Sequence, residues 1–179
     1  IGFSVASPTL ILFGHGLQAV RPGIVYLDNR SIAQVERGVE KFGGPDKYFE
    51  RVGNNPSPST CVAATLNWLQ EHEPENWAQT YKIGFLNTYL AAQLTGEIAV
   101  DPTVASYSGL LDVHKPDGWD EELVELFGIN PEILPEVVPS YSKMGELHKS
   151  MADALKLPAG ISVALGGADT AVTSFALGL

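Results

Sequence analysis

Ile161-Ser-Val-Ala-Leu-Gly-Gly-Ala-Asp169-Thr170-Ala-Val-Thr-Ser-Phe-Ala-Leu-Gly178 is the stretch on which the fold turns. A short alternation of β-branched and apolar residues stops at two glycines, an aspartate follows, and an apolar helical run begins at once. The order is strand, tight turn, helix. It sets one carboxylate at the mouth of a strand, beside a helix N-terminus whose amides favour anions. Gly166 and Gly167 let the backbone take a positive φ or approach a ligand closely. On this segment alone Asp169 has two readings: the N-cap of the final helix, a position that Asp fills well, or a functional carboxylate at a strand end.

The rest of the chain narrows the class of protein. With 179 residues, 45% of them hydrophobic, one good-sized core can be buried, in one domain or a domain with an appended subdomain. A net charge of −10 argues against nucleic acid or an anionic membrane surface as partner. Phosphate remains within reach of an acidic protein when Mg²⁺ and amide dipoles supply the positive field. Cys61 is the one cysteine, so a disulfide within the chain and a thiolate cluster are excluded, consistent with a cytoplasmic location. No apolar run approaches the roughly twenty residues of a membrane span. No basic stretch followed by an apolar one opens the chain as a signal peptide would. Both ends are apolar, Ile1-Gly-Phe-Ser-Val and Phe175-Ala-Leu-Gly-Leu179, where termini are usually polar, and the expectation is a piece of a longer protein.

Read from its start, the chain places a buried strand at Ile1–Val5 and further β-rich runs at Thr9–Phe13 and Gly23–Leu27, separated by the Gly14-His15-Gly16 turn. Ser31 is a candidate N-cap for a helix over Ile32–Phe42, broken by Gly43-Gly44-Pro45. A second helix runs through Val62, Leu66 and Leu69 and stops near Pro74. Phe85, Leu86, Tyr89, Leu90 and Leu94 recur at helical spacing with Gly96 behind them. Asp101-Pro102 opens an irregular stretch to Asp112, with Asp101 as a turn former. Asp117 is the expected cap of a short helix ending at Gly128, and a helix is expected near Glu146–Leu155 before the final strand, turn and helix. Strands first, helices in the middle and a returning strand fit an α/β domain with an inserted helical portion.

Four stretches stand in this order: Arg21-Pro-Gly-Ile-Val-Tyr-Leu-Asp28-Asn-Arg30, Phe85 to Gly96 with Asp101 and Ala105-Ser106 beyond, Trp119 to Leu134-Pro135, and Gly166-Gly-Ala-Asp-Thr-Ala. Together they resemble the FGGY carbohydrate kinase family, the first being similar to the family strand that ends in aromatic-x-Asp-x-Arg. Phe85 to Leu94-Thr95-Gly96, followed by Asp101 and Ala105-Ser106, is similar to its helix ending in Leu-Thr-Gly with Asp and Ala-Ser beyond. Trp119 through Gly128-Ile to Leu134-Pro135 matches its run to Leu-Pro, and Gly166-Gly-Ala-Asp-Thr-Ala matches its terminal turn. The resemblance implies a two-lobed enzyme of the ribonuclease H-like, actin-like ATPase fold. Residues 1–179 would form part of its N-terminal, sugar-binding domain, without the first β-hairpin and without the whole C-terminal nucleotide lobe. The implied activity is ATP-dependent phosphorylation of a sugar or polyol hydroxyl, of the pentulose or polyol type, with ATP and Mg²⁺ as cofactors of the full-length protein. The implied partner is a small sugar or polyol, with no nucleic acid and no membrane, and a homodimer is one assembly open to it.

By the same resemblance Asp169 corresponds to the general base, Ser7 and Thr170 lie at the substrate, Gly166 and Gly167 lie near phosphate, and no residue is a metal ligand. Carboxylate chemistry suits that role, because phosphoryl transfer asks the protein for positioning and a proton acceptor more than for covalent work. The chain departs from the family in two places around the substrate. Ser7-Pro8 stands where glycerol kinases carry Arg-Glu and xylulokinases Met-His, and Thr65 stands where a lysine is common. The alternatives are a non-catalytic sugar-binding or regulatory relative and an unrelated actin-fold ATPase or interaction domain.

Other residues carry blander expectations. Asp28 and Arg30 read as a structural ion pair before a substrate contact. His15, His72, His114 and His148 share no metal-ligand spacing and read as solvated. Trp68, Trp77 and Trp119 read as core or docking aromatics, and Glu71, Glu73 and Glu75 as a solvated face. Ser57 and Ser59 lack a histidine–acid arrangement, and the terminal turn lacks G-x-G-x-x-G spacing.

Overall fold

The two ends of the chain meet in one parallel ladder, and that meeting sets the site. Residues 1–179 are described by a computed structural model. In chain order the elements are β1 (Ser4–Val5), β2 (Thr9–Phe13), β3 (Ile24–Val25), α1 (Ile32–Phe42), α2 (Pro45–Val52), α3 (Val62–His72), α4 (Pro74–Ala78), β4 (Lys82–Phe85) and α5 (Leu86–Thr95). There follow β5 (Ala99–Val100), α6 (Pro102–Ala105), α7 (Glu121–Leu126), β6 (Glu136–Val137), β7 (Lys143–Glu146), α8 (Lys149–Leu155), β8 (Ser162–Ala164), β9 (Gly167–Ala168) and α9 (Asp169–Leu177).

β1 and β9 pair in parallel, with Ser4 opposite Gly167 and Val5 opposite Ala168. β2 is the central strand of an antiparallel sheet with β3 on one side and β4 on the other. β5 pairs with β6 in parallel, and β7 with β8 antiparallel. The helices α1 to α4 all fall between β3 and β4 in the chain, which is the inserted helical portion expected from the element order. The main core joins these helices to the sheets through Tyr48, Leu66, Leu69, Phe85, Leu110 and Leu123, all fully buried. No helix is long and apolar enough to cross a membrane.

Several local expectations are corrected. Phe85 ends a strand instead of opening the helix, because Lys82–Phe85 pairs along β2 from Leu10 to Phe13. Glu146 ends a strand rather than beginning a helix, because Lys143–Glu146 pairs with β8. Ile1 to Phe3 precede the strand proper, and Ile1 is exposed. The cap of α7 is Asp120, whose carboxylate accepts the Leu123 amide at 3.0 Å. Ser31 precedes α1 but does not cap it: its hydroxyl lies 2.9 Å from that of Thr65, both buried. Pro74 begins α4 directly after α3 has ended, as a proline at a first helical position can.

Candidate active site

The expected strand, tight turn and helix are strand β8, a break at Leu165-Gly166, the short strand β9 and then α9, because Gly167-Ala168 pairs with β1. Two close approaches shape this Gly-Gly bend. Gly166 has φ +70°, and a Cβ there would lie 1.9 Å from the Phe3 carbonyl oxygen, so no larger residue fits. A Cβ on Gly167 would lie 2.8 Å from Thr103 Oγ1 and 3.2 Å from Asp101 Oδ2. The Gly166 amide donates to the Ser140 carbonyl at 2.8 Å and the Gly167 amide to the Phe3 carbonyl at 3.1 Å. Both amides are therefore committed to the backbone, and neither is a free donor for an anion.

Asp169 follows as the first residue of α9, with Ala168 in the cap position. Its Oδ1 accepts the Thr170 amide at 2.8 Å, and the residue is exposed. A carboxylate at a helix N-terminus sits in a favourable field. The parallel pairing of Val5 with Ala168 sends the Ala6-Ser7 loop and Asp169 out at the same end of the ladder. Ser7 is half-buried, and its hydroxyl donates to the Val5 carbonyl at 3.3 Å. Thr170 is exposed and lines a recess of about 360 Å³ with Thr103, Ser106, Tyr107, Ala168, Ala171 and Ser174. Five of those seven residues carry hydroxyls, a lining suited to hydrogen bonding with a polyhydroxyl ligand.

One group beside the turn escaped sequence reasoning. Asp101, expected only to form a turn, is fully buried. Its Oδ1 accepts Asn87 Nδ2 at 2.9 Å, and its Oδ2 accepts the Thr103 amide at 2.8 Å and the Thr103 hydroxyl. No cation pairs with it. Burial pushes its carboxyl above the usual value, opposed by the hydrogen bonds from Thr103 and Asn87. The Thr103 hydroxyl also accepts the Ala168 amide at 3.0 Å. The Asp-Pro-Thr run carries part of this signal, since Asp before Pro at a first helical position is a capping pattern; its link to residue 168 has no local trace.

Asp28 and Arg30 form a forked ion pair at 2.8 and 2.7 Å, as expected of a structural pair. The guanidinium also lies 4.7 Å from the Trp68 ring centre and 3.4 Å from Glu73. Glu73 is not part of a solvated face: it accepts Arg21 at 2.8 Å and Asn76 at 2.7 Å, with its side chain 19% exposed. Trp68 and Trp77 pack on the core, and Trp119 donates its indole N–H to the Pro135 carbonyl at 2.7 Å. The four histidines are exposed, with His15 stacked on Tyr81 and His72 on Trp68. Cys61 is fully buried and its thiol is pushed up to about 11 by that burial, which removes it from thiolate chemistry near neutrality.

Known proteins resemble this chain along its whole length. The family model described as "FGGY family of carbohydrate kinases, N-terminal domain" matches residues 1–176. The chain is 35% identical over 170 residues to a xylulose kinase of Streptomyces rubiginosus, covering 94% of this chain and 34% of that protein. It is 31% identical over 179 residues to a xylulose kinase of Lactococcus lactis subsp. lactis, covering 100% of this chain and 35% of that protein. The crystal structure of xylulose kinase from Rhodospirillum rubrum superposes with a TM-score of 0.89 at 26% identity, over 99% of this chain and 36% of that one. The chain thus spans about a third of the length of the relatives it matches. Its α/β architecture is the ribonuclease H-like, actin-like ATPase fold of these kinases. With the terminal turn, the helical insertion and the match over residues 1–176 in agreement, the chain belongs to the FGGY family of carbohydrate kinases, in its N-terminal domain.

Proposed function

We propose that residues 1–179 form the acceptor-binding part of a longer kinase that phosphorylates a hydroxyl of a pentulose or polyol, with Asp169 as the general base. The observation that carries this reading is the exposed Asp169 carboxylate. It stands at the end of a parallel strand pair beside the Ser7 loop and next to a hydroxyl-lined recess that includes Thr170. ATP, as its Mg²⁺ complex, is the second substrate.

In the proposed step the acceptor hydroxyl oxygen forms a bond to the γ-phosphorus, the bond from that phosphorus to the bridging oxygen of ADP breaks, and the hydroxyl proton passes to Asp169. Ser7 and Thr170 orient the acceptor through their hydroxyls. Gly166 and Gly167 shape the bend that carries Asp169, the space of their missing side chains being taken by Phe3, Thr103 and Asp101 and their amides by backbone carbonyls; their place near the transferred phosphate is carried by the family resemblance alone. In the full-length protein, Asp169→Asn is expected to lower turnover about 10²–10⁴-fold, the usual value of a general base. Binding of the acceptor, read by ligand-induced thermal stabilisation with pentuloses, pentitols and glycerol, stays near wild type. Wild-type turnover in this variant removes the assignment.

A further inference from the structure

The route from Asp101 to Asp169 is continuous and has a fixed direction. An ionised carboxylate only accepts hydrogen bonds and a backbone amide only donates them. The Thr103 hydroxyl lies between one of each, Asp101 Oδ2 and the Ala168 amide. It must therefore donate to Asp101 and accept from Ala168, so its rotor is locked. Asp101 is itself locked from the other side by Asn87, whose Oδ1 is already engaged by the Thr88 amide at 3.0 Å and whose Nδ2 is left as the donor. Gly167 has no side chain, which lets Asp101 and Thr103 press against the turn at what would be 2.8–3.2 Å from a Cβ. A buried carboxylate met only by neutral donors costs stability that an apolar filler would not.

We propose that Asp101 and Thr103 are positioning residues for phosphoryl transfer: through the Ala168 amide they fix the backbone immediately before Asp169 and so aim its carboxylate at the acceptor hydroxyl. The inference rests on the reading of Asp169 as the base. Neither residue takes the proton. Their contribution is orientation, and a misplacement on the order of 1 Å at a reacting group costs about 10²-fold.

The test uses the full-length kinase with whichever acceptor of the pentulose, pentitol and glycerol panel supports turnover. Thr103→Val keeps the shape but leaves the Ala168 amide without its acceptor, whereas Thr103→Ser retains the hydroxyl. Thr103→Val is expected to lower kcat about 10–100-fold with the acceptor KM changed by less than about threefold, and Thr103→Ser to restore kcat to within about threefold of wild type. In an Asp169→Asn background Thr103→Val should cost nothing further, because a residue that works through Asp169 has nothing left to aim. Should Thr103→Val melt below the assay temperature, Asp101→Asn, which sets an amide against the donors of Thr103 or Asn87, is read in the same way.

Wild-type kcat in Thr103→Val beside a collapsed Asp169→Asn overturns the positioning role and leaves the base reading standing. So does a raised KM with unchanged kcat, which marks a direct contact with the acceptor. A loss that multiplies undiminished in the Asp169→Asn background also overturns it, as the signature of a purely structural effect. Wild-type turnover in Asp169→Asn removes the base reading, and this inference with it.

Discussion

Asp28 and Asp101 each accept the backbone amide two residues downstream, Arg30 N at 3.0 Å and Thr103 N at 2.8 Å, and there the likeness ends. Asp28 sits near the surface in the fork of Arg30, and that hydrogen bond holds its carboxyl below the usual value. Asp101 is sealed off, meets only neutral donors, and burial pushes its carboxyl up. Two aspartates with one local geometry thus titrate in opposite directions because the groups that reach them from elsewhere differ. The first ties a strand end to α3 through Arg30, Trp68 and Glu73; the second braces the turn that presents Asp169.

The largest expected effect separates the two regions by function. In the full-length protein Asp169→Asn should remove about 10²–10⁴ of turnover, whereas Asp28→Asn should leave kcat near wild type; a matched loss in Asp28→Asn, measured by coupled ADP release, would erase the functional contrast. Next comes the turn itself. Gly167→Ala drives a methyl group against Thr103 and Asp101 and should destabilise by about 1–3 kcal/mol, the range for overpacking. Gly166→Ala should cost more, because it adds a strained φ to a contact with the Phe3 backbone. Chemical denaturation gives the order of the two, and equal midpoints for both variants and wild type would show that the turn yields freely.

A smaller difference is expected between the carboxylates as structural groups. Asp101→Ala leaves Asn87 and Thr103 donors buried without an acceptor, at about 1–3 kcal/mol. Asp28→Ala gives up a partly exposed ion pair, at about 0–1 kcal/mol. Reversal of that order in thermal melts breaks the comparison as drawn.

The smallest effect is in pH dependence. The folded value of Asp28 lies below its ordinary 3.8, so the folded state gives up that proton more readily. Its stabilisation is present above that ordinary value and is lost as pH falls through the depressed one. Asp101 has the opposite sign. Its folded value lies above 3.8, so the folded state retains the proton longer, and stability falls as pH rises from 3.8 through the raised value. Stability curves from acid to neutral pH should therefore lose part of their acid-side rise in Asp28→Asn and part of an opposing fall in Asp101→Asn. Parallel curves for both variants would show that the two environments do not differ in the way described.

Much of the architecture was legible because it is written locally. The α1 boundaries follow from apolar spacing and the Gly43-Gly44-Pro45 break, and the terminal strand and helix follow from a β-rich run and an apolar one on either side of two glycines, though the strand that resumes at Gly167-Ala168 does not. The misreadings share a cause. Phe85 and Glu146 adjoin helical sequence but belong to strands, since each is held by a partner strand far away in the chain. A short segment is strand or helix according to what pairs with it, which periodicity cannot register. Glu73 was misread for the same reason: its arginines arrive from residues 21 and 30.

By itself the sequence determined the family, the α/β class, the helical insertion and the position of Asp169 at the end of a glycine turn. These depend on residue types at fixed spacings, and backbone sterics act within a few residues. Only the tertiary structure decided that β1 lies against β9, so that the Ser7 loop and Asp169 emerge together. It alone decided that Asp101 is buried without a cation and that Thr103 holds the Ala168 amide from 65 residues away. The reason is physical: the protonation and direction of a side chain answer to the dielectric and the donors around it, and those are supplied by whichever distant segments the packing brings in.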